Sequence, residues 1–214
     1  MNTCIRSLAA LAGGVIFFSP ALFAQRVSPE AGMIGKRYAG GDFHHDQFTG
    51  SALDHAFGAA AIVNLPVSRS LDLMVGYSYL DTSGRDFGAI DKALNATLLT
   101  HHVTEYGTGY FAGTLGHVWN RINAPAFLTP ENGVTWGLRA GYEFAVGRRS
   151  AINAGVAYAD AFDRENARAA FWRYYVEGNH WFSADFAGVV SINYRQLKAS
   201  PDALGYTAGV RWAF

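Results

Sequence analysis

Residues 204–214, LGYTAGVRWAF, decide the fold. Leu204, Tyr206, Ala208, Val210, Trp212 and Phe214 are apolar or aromatic, and Gly205, Thr207, Gly209, Arg211 and Ala213 stand between them. A period of two belongs to a β-strand whose two faces meet different surroundings. Strands of soluble domains average about 5–6 residues, whereas a tilted strand crossing a bilayer needs ~9–11. This stretch has the longer span, and it ends on an aromatic ring.

The same alternation recurs along the chain. Residues 57–67 put Phe57, Ala59, Ala61, Val63, Leu65 and Val67 on one face and Gly58, Ala60 and Asn64 on the other. A short turn at 68–70 leads into 71–79, where Leu71, Leu73, Val75, Tyr77 and Tyr79 oppose Asp72, Gly76 and Ser78, which makes a hairpin. Residues 134–146, 152–158, 171–182 and 186–197 alternate as clearly, with Leu138, Ile152, Trp172 and Val190 on apolar faces opposite Arg139, Asn153, Arg173 and Ser191. Weaker patterns over 92–105 and 110–120 complete the middle of the chain. Residues 33–47 form the first strand, with an ambiguous phase because Tyr38 and Phe43 fall on opposite faces. The count is ten strands, with eight as the lower alternative. Tight turns (68–70, 147–150, 183–185) alternate with longer polar loops (83–91, 121–133, 163–169).

The composition agrees with this pattern. Seventeen basic and 17 acidic residues balance, so no charge excess points to nucleic acid. Twenty-four glycines, 14% aromatic residues and only 16% charged residues suit long strands with a crowded backbone. At the N-terminus, Arg6, an apolar run over 8–18, Pro20 and Ala24 before Gln25 make residues 1–24 a cleaved secretory signal peptide. Residues 25–32 then serve as a periplasmic lead-in and 33–214 as the barrel. Cys4 leaves with the signal, so thiol and disulfide chemistry is not expected. No later segment is apolar and unbroken over the ~20 residues of a membrane helix. A chain of this kind spans a bilayer only as a closed barrel, in which every backbone group is paired. The soluble alternatives, a β-sandwich or a lipocalin-like barrel, need a strongly charged exterior of about 25–35%. Here the face opposite the aromatic one carries small residues mixed with Arg and Glu.

The signal, the alternation, the loop asymmetry and the terminal Phe214 together resemble the small bacterial outer-membrane β-barrels, loosely the OmpA- and OmpX-like group. The resemblance covers nearly all of the mature chain and lies in pattern. It implies an all-β, transmembrane, antiparallel up-and-down barrel in the outer membrane of a Gram-negative bacterium. It also implies contact with outer-membrane lipid and lipopolysaccharide. The closing strand, through Tyr206, Val210, Trp212 and Phe214, becomes the signal read by the barrel assembly machinery.

Two sets of residues bear on chemistry. His44, His45 and His55 flank the first loop with Asp42, Asp46 and Asp54 nearby, and a hairpin centred on residue 50 sets His45 nearly opposite His55, a weak rim site for a transition metal or a hydrolase. Water-exposed rim histidines are the plainer reading. The enzymatic barrels supply no match: omptin-type proteases use Asp-x-His, whereas Asp54 and His55 are adjacent, and no His-x-Ser of the lipid A deacylase kind occurs. The palmitoyltransferase arrangement finds only the scattered Asp72 and Ser191. The second set lies inside. Arg139 and Glu143 share the inward face of one strand, Arg173 and Glu177 repeat that spacing two strands later, and Arg195, Arg211 and Asp72 face the same interior. Buried charges persist when paired, and a barrel of about eight strands is just filled by side chains. The expectation is a largely filled lumen, a structural or surface-interaction role, and no cofactor. A narrow channel and a rim enzyme or metal binder at His45 and His55 are the alternatives.

Overall fold

The computed structural model describes residues 31–49, 53–84, 88–123, 130–162, 170–197 and 202–214. The expected signal peptide, the expected lead-in up to residue 30 and the expected loop 163–169 lie outside the described residues. Ten strands follow in order: β1 (Tyr38–Phe48), β2 (Leu53–Ser68), β3 (Leu71–Gly84), β4 (Gly88–Val103), β5 (Thr108–Asn123), β6 (Pro130–Ala145), β7 (Ser150–Ala161), β8 (Phe171–Trp181), β9 (Phe186–Leu197) and β10 (Ala203–Ala213). Each pairs antiparallel with its neighbours in sequence, and β1 closes on β10 from Tyr38↔Ala213 to Phe48↔Ala203. The ten-strand, up-and-down barrel is the architecture that the alternation implies.

The two faces are inverted relative to a soluble protein. Phe43 is 77% exposed and Val190 62%, and Leu138, Ile152, Trp172, Tyr206 and Trp212 also point outward. Arg139, Glu143, Arg173, Glu177, Arg195 and Arg211 are buried inside. An apolar band around the outside of a closed sheet is the surface of a membrane-spanning barrel. Inside, apolar side chains gather in two layers. One, nearer the end with the longer connections, contains Phe48, Leu80, Val118 and Phe171. The other, nearer the termini, contains Met33, Ile34, Ile62, Leu99 and Trp181.

Two sequence expectations change. The first strand begins at Tyr38, five residues later than expected from 33–47. Its phase is now resolved: Tyr38, Asp42, Asp46 and Phe48 face inward, and Phe43 faces outward. The strands also run into two expected loops, since β3 and β4 reach Gly84 and Gly88, and β5 and β6 reach Asn123 and Pro130. β2, β4, β5 and β6 have 16 residues each, against 11 or 12 in β1 and β7 to β10. A strand needs ~9–11 residues to span the bilayer, so β2–β6 are longer than a crossing requires: β6 runs past the end of β7 before Thr135, on the side of the longer connections, whereas β2 runs past β1 after Asn64, on the short-turn side. Strands above the bilayer have no lipid to face, so apolar alternation does not mark them.

Candidate functional site

The interior is organised around the seam where β1 meets β10. Asp42, His44 and Asp46 lie at alternate positions of β1 and therefore share its inward face. Arg211 Nη1 and Nη2 donate to Asp42 Oδ1 at 2.7 Å and Oδ2 at 3.0 Å, a bidentate pair in which both side chains are fully buried. Arg195 of β9 forms an ion pair with Asp46. His44 Nδ1 is hydrogen-bonded to Thr207 Oγ1 at 3.1 Å. The backbone makes room for these groups: a Cβ on Gly209 would collide with the Asp42 carboxylate, and one on Gly205 with that of Asp46.

Arg139 and Arg173 stand on the opposite wall beside Tyr110 and Tyr175, whose hydroxyls are hydrogen-bonded to each other, and Tyr110 also donates to Asn153 Oδ1 at 2.9 Å. Arg173 Cζ lies 5.3 Å from the Tyr175 ring centroid. Glu177 is 1% exposed, its carboxylate oxygens make no hydrogen bond, and the cations facing it are Arg211, Arg173 and Arg139. Glu143 instead accepts from the Met33 backbone N–H. The seven charged side chains expected in the lumen are all buried there, but Arg195 and Arg211 engage Asp46 and Asp42, which the sequence reading had grouped with a rim site. Their period-two spacing with Tyr38 and Phe48 is the signal that reveals them. Asp72 lies at the base of the lumen, 3.7 Å from His101 Nε2.

The segment preceding β1 enters this base. Met33 and Ile34 are completely buried in the lower apolar layer. Gly35 N–H donates to Asp72 Oδ2 at 2.8 Å, and the Lys36 carbonyl accepts from Asn64 Nδ2 at 2.8 Å. Asn179 Nδ2 donates to the Ala31 carbonyl at 2.7 Å, and Lys36 Nζ sits 3.9 Å over the Trp181 ring. The part of the lead-in that is described thus belongs to the lumen.

Solved barrels of the same kind are recognisable. The β-domain of the Bordetella autotransporter Brka matches with a TM-score of 0.50 and 13% identity over 84% of this chain and 99% of that one. The fold is that of the small outer-membrane β-barrels. Neisserial surface protein A gives 0.49 and 14% over 83% and 97%, and Ail of Yersinia pestis gives 0.40 and 12% over 84% and 97%. At these identities the likeness concerns shape. The sequence matches no family model and no curated protein.

On the outside of this outer-membrane-type barrel, the histidine expectation is corrected. His45 is opposite Phe57 and His55 is opposite Gln47. The Phe57 ring lies between the two imidazoles, stacked on His45 at 4.6 Å and edge-on to His55 at 5.2 Å. Both rings face away from the lumen acids, because His45 alternates with the inward Asp42, His44 and Asp46. Among the described residues, no group of three or more His, Cys, Asp or Glu is placed to hold a metal ion. Tyr206, Val210, Trp212 and Phe214 all point outward from the closing strand and its end.

Proposed function

We propose that the chain is a Gram-negative outer-membrane protein with a closed lumen, working as a structural or surface-interaction barrel. The start of β1, the end of β10 and the short turns face the periplasm, an even strand number keeping both ends of the barrel on one side, and the closing strand presents Phe214 to the assembly machinery. The outer apolar band meets lipid, with lipopolysaccharide at the outer rim. The end of β6 that runs past β7 on the side of the longer connections is the part offered beyond the membrane. The observation that carries this reading is the burial of the interior: Arg211 and Asp72 are 0% exposed and Glu177 is 1% exposed, in a lumen that also holds two apolar layers. A water-filled pore leaves its lining accessible, and this lining is packed.

Single-channel recording of the purified protein in planar bilayers tests the reading. The expected result is no steady conductance above the bilayer background. A large, steady, salt-dependent conductance would replace this reading with the narrow channel.

A further inference from the structure

The segment in the short-turn mouth is held as a ligand is held. It forms no part of the sheet, and the barrel closes from β1 to β10 without it. Its backbone is read by side chains from four strands: Asn64 of β2, Asp72 of β3, Glu143 of β6 and Asn179 of β8. Two carbonyls and two N–H groups are satisfied in this way, as buried backbone requires. Its shape is a turn, closed by the Lys36 N–H to the Met33 carbonyl at 3.3 Å, with Gly35 at φ 74°. Only glycine adopts that conformation readily. Met33 and Ile34 fill the apolar pocket, and the Lys36 ammonium lies on the Trp181 face, where the ring quadrupole attracts a cation.

We propose that the short-turn mouth is a peptide-binding site, that it accepts a turn of two apolar residues followed by glycine and a cation, and that residues 31–36 occupy it in cis. The four polar side chains are built into strands whose pairing does not depend on the segment. They present donors and acceptors matched to the Ala31 and Lys36 carbonyls and the Met33 and Gly35 N–H groups of a turn, and they remain on the barrel when the turn leaves. The cis segment is tethered to β1, and a short tether holds its ligand at an effective concentration in the mM range. Competing peptides enter only when the cis turn is unseated. The proposal rests on the closed-lumen reading for its location, since the upper apolar layer still blocks the barrel once the mouth is empty.

The test uses the full mature chain in lipid nanodiscs and a fluorescein-labelled synthetic peptide of sequence AGMIGK. Ile34→Asp unseats the cis turn by placing a charge in the apolar pocket. Gly35→Val unseats it through backbone strain with no added charge, and serves if the first variant does not fold. Fluorescence anisotropy should show saturable binding of one peptide per barrel to either folded variant and none to the unmodified protein. Adding Asn179→Leu should weaken binding at least tenfold, and a peptide carrying Asp in place of Ile should not bind. Absence of binding to folded unseated barrels overturns the site, and so does binding indifferent to Asn179→Leu. Equal binding by the unmodified protein overturns the cis occupancy. Conductance of the same variants should stay at background; a rise would strike the closed-lumen reading and leave the peptide result standing.

Discussion

Exchanging Asp42 for Asn removes the anionic half of the pair that ties β1 to β10. Arg211 is fully buried and donates two hydrogen bonds to that carboxylate. With charge centres about 4 Å apart and an effective dielectric constant of ~20, the lost attraction is about 4 kcal/mol. Breaking one side of a buried pair typically costs ~3–5 kcal/mol, because the other charge stays behind. Arg211 Nη1 keeps the Val210 carbonyl at 2.8 Å, and Glu177 also faces it, so Asp42→Asn belongs at the lower end, ~3 kcal/mol. Arg211→Met strands the aspartate in the same way. The double change strands neither charge, and its cost should fall short of the sum of the two by ~2–3 kcal/mol, the coupling expected of direct partners. Reversible urea unfolding in lipid vesicles, followed by tryptophan fluorescence, measures all four corners of this cycle. Additive losses would refute the reasoning, because they would mean that the two charges are stabilised independently of each other.

Three further outcomes follow from the faces and the packing. Val190→Arg and Leu138→Arg, on the lipid side, should each destabilise the barrel by about 2–4 kcal/mol near the bilayer midplane, while the apolar exchanges Val190→Leu and Leu138→Ile are close to neutral; equal losses from the charged and the apolar exchanges in the same titration would contradict the assigned faces. Gly141→Ala should cost ~1–3 kcal/mol by overpacking, since the added methyl meets the Tyr110 hydroxyl and lies 2.7 Å from the Ala154 carbonyl oxygen. Tyr110→Phe in that background should recover part of the loss, and no recovery would place the strain elsewhere. Deleting Phe214 should reduce outer-membrane levels far more than Thr207→Ser, measured by fractionation and heat-modifiable gel mobility; undiminished levels of the truncated protein would remove the closing aromatic from the assembly signal.

Which face each residue takes was legible in the sequence because it is a local property. Successive side chains of a strand point to opposite sides, so one run of alternation assigns Leu138 to lipid and Arg139 to the lumen without knowledge of any partner. The clear runs, and the inward position of Asp72, Arg139, Glu143, Arg173, Glu177, Arg195 and Arg211, follow from that period alone, whereas β4 and β5 are only weakly patterned. β1 escaped because it carries aromatics on both faces: Tyr38 packs inside the mouth and Phe43 stands in the lipid band. The strand ends beyond the membrane escaped because no apolar face marks them. Partners required the closed barrel. Asp42 and Arg211 are 169 positions apart, and only closure of β1 on β10, in one register, brings them together. The turn at residues 31–36 is likewise a product of tertiary structure. Met33 and Ile34 read as the start of a strand by composition, and they are drawn inside because the mouth supplies an apolar pocket and four side chains that satisfy the backbone of the turn.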